Sequence, residues 1–284
     1  MALKELLVHL NQAEEVEVRL RLAMDLATRH ASHLTALFVD EWNDVQMTAR
    51  ATAEMGLAAA GDLDSLDQSV NAEIQKTAAR LRNEIDSARA ERGLETEWRH
   101  IKGLSETAVK RFSFYADLCI LGHEGLSEHG AADSAFCESI LVALGTPILF
   151  VPRATSVTTL GRRIVVAWDS SRAAARTLND ALPLIGKSDR TTILNVDCGK
   201  HEQSTAMLKR LTERLKRHCA SADFAQLEAQ PEAIADVLQV KALELGADLI
   251  VSGAFGHSRL KEHIFGGVTR DLLERTRLPL LMSH

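Results

Sequence analysis

Residues 247–273 read ADLIVSGAFGHSRLKEHIFGGVTRDLL, and the fold turns on how this stretch is parsed. Leu249, Ile250 and Val251 form a short apolar run that opens into Gly253-Ala254-Phe255-Gly256. An apolar run of that length closed by glycine is a buried strand ending in a turn. Helical spacing resumes at Gly266-Gly267, with Val268, Leu272 and Leu273 recurring beyond it. The polar loop between strand and helix therefore carries glycine at both ends. Such a loop suits an anion, because no Cβ keeps backbone N–H groups away from it and the helix start adds a positive dipole end. Glycine at a strand end is also ordinary turn punctuation, so the loop alone does not decide between the two.

The same order of elements occurs earlier in the chain. Ala116–Gly122 (ADLCILG) matches Ala247–Gly253 (ADLIVSG), and Thr146–Pro152 matches Leu278–His284 at almost the same offset. A whole domain has been duplicated, not a short solenoid unit. In the first half the spacing predicts a strand over Glu5–Leu10, a helix through Val18, Leu22, Leu26 and Ala27, and a strand over Leu34–Val39. A helix capped by Asp62 or Asp64 follows, with Leu66, Val70, Ile74, Leu81 and Ile85 on its apolar face and Gly93 as its stop. Strand Glu95–Ile101 and a helix carrying Val109 and Phe112 lead into the first Ala-Asp-Leu strand. A Ser- and Thr-rich linker runs from Arg153 to Gly161, which divides the chain into domains 1–153 and 160–284. The second half predicts a strand over Arg163–Ala167, a helix from Ser171 to about Ile185, a strand over Thr191–Val196 and a helix over Ser204–Cys219. A weaker strand over Phe224–Glu228 and a helix opened by Pro231 complete it before residue 247. Aligning the first strands of the halves leaves roughly 25 extra residues in the first half. The Ala-rich stretch Asp44–Gly61, just after Trp42, is the candidate and reads as a surface excursion.

Near-continuous apolar strands alternating with helices make each half a doubly wound α/β domain, giving two parallel-sheet domains in tandem. Ligands of such domains lie beyond the carboxyl ends of the strands, where the strand order reverses. The last strands of the two halves, Ile148–Val151 and Leu280–Met282, are apolar edges expected to pair between domains or between chains.

Composition narrows the function. A net charge of -6 argues against a surface built for nucleic acid or for anionic lipid, both of which need a basic footprint. The most apolar run, Ile140–Val151, is broken by Gly145-Thr146-Pro147 and is too short for a bilayer, and MALKELLVHLNQAEE does not read as a signal peptide. Cys119, Cys137, Cys198 and Cys219 are scattered without a C-x-x-C pair, as in a reducing cytoplasm. His123 with His129, and His257 with His263, lack zinc-site spacing and read as histidines on exposed loops. Gly186-Lys187-Ser188 resembles the end of a P-loop, but the earlier glycine is Ala181 and a helix precedes the segment.

Other polar residues fall at the edge where residues 253–267 lie. Asp169 follows the first strand of the second half in Val165-Val166-Ala167-Trp168-Asp169-Ser170-Ser171. Its carboxylate suits ribose hydroxyls or an exocyclic amine, and it equally suits capping the next helix. Val196, at the end of the second strand, offers backbone groups and an apolar wall to a flat ring, or is simply core.

Taken together, Gly253-x2-Gly256-x9-Gly266 followed by Val268-Thr269 resembles the nucleotide-binding signature G-x2-G-x9-G-[ST] of the universal stress protein family. The Ala-Asp-Leu-Ile-Val strand, the Val-Ala-Trp-Asp opening and the terminal Leu-Pro-Leu-Leu strand are similar to that family as well. The resemblance covers nearly all of the second half, and the first half repeats its order with weaker motifs, as in a tandem member. It implies an ATP-binding, stress-response regulator, with ATP and an accompanying Mg as ligand and AMP or ADP as alternatives. Asp169 and the backbone around Ala167, Trp168 and Val196 would hold adenine and ribose. Gly253, Gly256 and the turn with His257 would follow the phosphates on one side, and Gly266, Gly267, Val268 and Thr269 would present amides and one hydroxyl from the other. Where the signature favours Ser or Thr after its third glycine, this chain has Gly267, so one hydroxyl contact is missing. The first half keeps Gly122-x2-Gly125 but has Asn11 in place of Asp169 and Ala135 in place of the third glycine. It is expected to bind ATP poorly, if at all, and to serve as the partner of the second domain in an intramolecular pseudo-dimer, with a homodimer as the alternative. Two other functions remain open: a slow ATP hydrolase using His257, His263 or Glu262, and a nucleotide-independent interaction scaffold.

Overall fold

The computed structural model describes residues 2–13, 15–40, 60–123, 130–153, 155–197, 205–219, 221–230, 233–254 and 267–284. In the first half the elements are β1 (Glu5–Leu10), α1 (Val16–His30), β2 (His33–Asp40), α2 (Ala60–Arg92), β3 (Thr96–Lys102), α3 (Ser105–Ser113), β4 (Leu118–His123), α4 (Gly130–Ala143) and β5 (Ile148–Pro152). In the second half they are β6 (Arg163–Ala167), α5 (Arg172–Ile185), β7 (Arg190–Asp197), α6 (Thr205–Leu215), β8 (Ala222–Glu228), α7 (Ile234–Glu244), β9 (Leu249–Gly253), α8 (Gly267–Arg275) and β10 (Leu280–Ser283). The chain is an α/β protein with two doubly wound parallel-sheet halves, as the alternation of strand and helix patterns requires.

The halves join into one ten-stranded sheet, ordered β3-β2-β1-β4-β5-β10-β9-β6-β7-β8. All strand neighbours are parallel except β5 and β10, which run antiparallel with Phe150 opposite Leu280, Leu149 opposite Leu281 and Ile148 opposite Met282. The two apolar edges foreseen from sequence thus close on each other within the chain. All six of these side chains are buried, so the pairing removes two sticky edges together. Polar ties reinforce the seam. Arg29 at the end of α1 donates to the Leu160 carbonyl, Lys187 donates to the Arg29 carbonyl, and Arg176 Nη2 donates to the Gly145 carbonyl at 3.1 Å.

Each face of the sheet carries a core that runs through both halves. One face buries Leu20, Leu26, Leu81 and Ile85 from α1 and α2 together with Leu178, Leu184 and Leu208 from α5 and α6. The other buries Val109 and Ile140 from α3 and α4 together with Leu238 and Leu272 from α7 and α8. The strand order reverses between β1 and β4 in the first half and between β6 and β9 in the second, which leaves one crevice per half at the carboxyl edge.

The duplicated Ala-Asp-Leu motif has a structural cause. Asp117 Oδ2 accepts from the backbone N–H groups of Lys4 and Glu5 at 2.7 and 3.0 Å. Asp248 accepts from the N–H groups of Arg162 and Arg163, both at 3.0 Å, and from Thr159 Oγ1 at 2.7 Å. In both halves a carboxylate just before the fourth strand thus holds the entry to the first strand. In the second half it also anchors the linker.

Three expectations need correction. Helix α2 is already formed at Ala60, so Asp62 and Asp64 lie inside it and do not cap it. Acidic residues there still suit the positive end of the helix, which is why they look like a cap in sequence. The extra length of the first half is also not only the stretch 44–61, of which residues 44–59 lie outside the described residues. Helix α2 has 33 residues against 11 in its counterpart α6, so much of the excess is helix. Finally, His123 is not on an exposed loop. It is the buried last residue of β4, with Sγ of Cys137 3.8 Å from its Nδ1 and Phe150 edge-on to its ring. His9 and His30 are buried as well. His129, paired with His123 in sequence, and the pair His257 and His263 lie outside the described residues.

Candidate functional site

The crevice of the second half is built from the ends of β6, β7 and β9 and the start of α8. Ala167 closes β6 opposite Ser252, and Trp168-Asp169-Ser170-Ser171 turn the chain into α5. That turn is tightly specified. Asp169 Oδ1 accepts from the Ser171 N–H at 2.8 Å, an Asx turn, and Ser171 Oγ accepts from the Ala174 N–H at 3.0 Å as the helix cap. Ser170 adopts a left-handed φ of 61° while its Oγ accepts from Trp168 Nε1 at 3.1 Å. Of the two roles open to Asp169 in sequence, Ser171 takes the cap. The Asp169 side chain stands exposed at the edge.

Asn195 fixes this turn from β7 and was not singled out in sequence. Its Nδ2 donates to the Trp168 carbonyl at 2.9 Å, and Trp168 N–H bonds the Leu194 carbonyl at 2.8 Å. Both backbone groups of Trp168 are therefore used within the protein, and the exposed polar group next in line is the Asp169 carboxylate. Asn195 is only 3% exposed, and its Oδ1 has no hydrogen-bond partner among the described residues. One signal could have found it: a lone amide inside the apolar strand Thr191-Thr192-Ile193-Leu194-Asn195-Val196. Val196 is half-buried and packs, like Ala167, on the face that carries α7 and α8.

Gly253 ends β9 opposite Ser283. A Cβ there would lie 2.6 Å from the Ala173 carbonyl carbon and 2.9 Å from Ala174 Cα, with Ala174 N closer still. Glycine at 253 thus lets the first turn of α5 sit directly on the strand end. Gly267 is the opposite case, since a Cβ would meet nothing within 4 Å among the described residues. Helix α8 begins there with its N–H groups at the crevice edge. Val268 is half-buried, and Thr269 is buried at 5% exposure. Gly256, His257 and Gly266 lie outside the described residues. Ala167, Trp168, Asp169, Val196, Gly253, Gly267, Val268 and Thr269 all fall at the carboxyl edge of this half.

Residues 161–284 match the sequence model of the universal stress protein family. The second half is a universal stress protein domain. A universal stress protein from Archaeoglobus fulgidus DSM 4304 has a similar structure over 98% of this chain and 95% of its own, with a TM-score of 0.72 at 18% identity. A functionally unknown protein from Pseudomonas aeruginosa PAO1 matches over 99% of this chain and 92% of its own, with a TM-score of 0.56 at 15% identity. Those full-length matches extend the universal stress protein fold across the first half. A universal stress protein in complex with cAMP matches 43% of this chain at 22% identity with a TM-score of 0.36, a likeness too partial to bear on the ligand here. No curated protein matches the chain in sequence.

Proposed function

We propose that the chain is an ATP-binding regulatory protein of the stress-response type, with its site in the crevice of the second half, residues 160–284. The observation that carries this is one convergence. A tightly specified turn presents the exposed Asp169 carboxylate, and the N-terminus of α8 stands at the same edge, where the strand order reverses between β6 and β9. A carboxylate accepts from ribose hydroxyls, and a helix start with open space at Gly267 favours phosphate oxygens. In this reading Ala167, Trp168, Asp169 and Val196 form the adenosine end. Gly256, His257, Gly266, Gly267, Val268 and Thr269 form the phosphate end, and Gly253 holds α5 in place between them. Mg would accompany the triphosphate, and ADP or AMP would use the same adenosine end.

The first half, residues 1–153, then acts as the built-in partner of the second through the β5–β10 seam. A reducing cytoplasm fits Cys119, Cys137 and Cys219, which are not in disulfides. A native mass spectrum of the purified chain, with and without added ATP, tests the proposal. Retention of adenine nucleotide is expected, and a chain that never carries nucleotide at saturating ATP would leave the scaffold reading in its place. Turnover that survives repeated purification and disappears in His257→Ala would mark the protein as a hydrolase.

A further inference from the structure

The two halves differ at the junction between the first helix and the fourth strand. With Asn11 aligned on Asp169, Arg19 falls on Thr177 and Val16 on Ala174, while Gly122 falls on Gly253. Helix α5 begins at Arg172, so its first turn covers Gly253 with backbone. Helix α1 begins at Val16, two residues later in this alignment. The space over Gly122 is filled by the Arg19 guanidinium, whose Cζ lies 2.7 Å from where a Cβ would stand and whose Nη1 is closer still. Arg19 Nη2 donates to Asn11 Oδ1 at 2.9 Å, and the side chain is only 5% exposed. Thr177, in the corresponding place, reaches only backbone carbonyls, those of Ala173 at 3.0 Å and Ser283 at 3.4 Å.

The chemistry of the adenosine end is thereby inverted. In the second half a ribose hydroxyl would meet an exposed carboxylate. In the first half it would meet an amide whose acceptor oxygen is already held by a buried cation. Displacing that cation would leave it without the bond to Asn11 in a site from which water is largely excluded. We infer that Arg19 is an internal occupant of the first half that closes its crevice to nucleosides and holds the chain to a single nucleotide site. This inference rests on the nucleotide-binding reading of the second half, and it goes beyond the lost third glycine, because Ala135 would affect only the phosphate end.

The test uses the full chain and AMP, which probes the adenosine end. The substitutions Asn11→Asp and Arg19→Thr give the first half the residues of the second. Calorimetric titration should show a stoichiometry higher by about one site than the unaltered chain, with the added site the weaker of the two. No gain in a folded variant overturns the inference, whatever the unaltered chain binds. An unaltered chain that binds nothing refutes only the proposed function. The pair Asn11→Asp with Arg19→Met keeps the apolar stem and guards against a packing defect. If both pairs lose the near-ultraviolet dichroism of the folded chain, Arg19 is a packing element and the inference fails.

Discussion

Gly253→Ala should destabilise the protein although it adds one methyl group at the surface end of a strand. The new Cβ would lie 2.6 Å from the Ala173 carbonyl carbon and closer still to Ala174 N, where ordinary contact begins near 3.4 Å, so the start of α5 must retreat by at least about 0.8 Å. Helix α5 has little freedom to do so. Leu178, Ala181, Leu184 and Ile185 are buried beneath it, and Thr177 Oγ1 bonds the Ser283 carbonyl at 3.4 Å. Overpacking of this kind costs about 1–3 kcal/mol, and each kcal/mol lowers Tm by roughly 2–4 °C in a protein of this size class. The same shift displaces Ser171 and, with it, the Asp169 turn, so nucleotide affinity should fall together with stability. Urea unfolding, comparing midpoints at constant slope, measures the first effect and calorimetry with ATP the second. A Gly253→Ala midpoint equal to that of the unaltered chain would refute the close junction between β9 and α5.

Other substitutions follow from the same geometry. Gly267→Ser enters open space and improves helix propensity, so it should leave stability unchanged or raise it by up to about 0.5 kcal/mol. It also restores the hydroxyl missing from the glycine signature and should tighten ATP binding, and a weaker titration would count against phosphate at α8. Asp248→Ala removes three hydrogen bonds from a buried carboxylate and should cost about 1–3 kcal/mol, whereas Asp117→Ala, with two bonds at an exposed site, should cost less. Equal urea midpoints for the two variants would contradict the clamp on the linker.

Stability should also fall on acidification. Burial, with the charge of Arg19 second, pushes His9 down to about 3. Burial likewise pushes His30 and His123 down to about 4, helped in His30 by Lys187 and Arg29 and opposed in His123 by Glu274. These imidazoles stay neutral in the fold while the unfolded chain protonates them near pH 6.5. Their contribution is therefore complete above about 6.5 and is lost as pH falls toward 4, by up to about 1.4 kcal/mol per pH unit for each. Urea midpoints at pH 7.5, 6 and 5 should decline, and His123→Phe should flatten part of that decline. A flat profile in the unaltered chain would mean that these histidines take up protons while folded.

Much of the fold can be read in the chain because the inner strands are almost wholly buried. Runs such as Leu118-Cys119-Ile120-Leu121 and Leu249-Ile250-Val251 leave no alternative to sheets covered on both faces, and Gly93, with φ of +65°, stops α2 where a left-handed residue is required. The duplication aligned the halves because Asp117 and Asp248, each one residue before a fourth strand, clamp the entry to the first strand in the same way. Sequence could not show that the two last strands pair with each other, since an apolar edge does not name its partner. It also could not show the close approach of α5 to Gly253, because a glycine that admits a ligand and one that admits a helix look alike in a motif. Asn195 and Arg19 stayed hidden for a related reason. Each works through a residue distant in sequence, Trp168 across the strands and Gly122 over a hundred positions away, and neither has local spacing to reveal it.

Titration of the full chain with ATP, repeated with Asp169→Ala, tests the central claim most directly. The site described here predicts one ATP per chain, with binding lost or strongly weakened when the carboxylate is removed while the urea midpoint changes little, because Asp169 is exposed and Ser171 caps α5. No heat at any ATP concentration, or binding that Asp169→Ala leaves untouched, would contradict it.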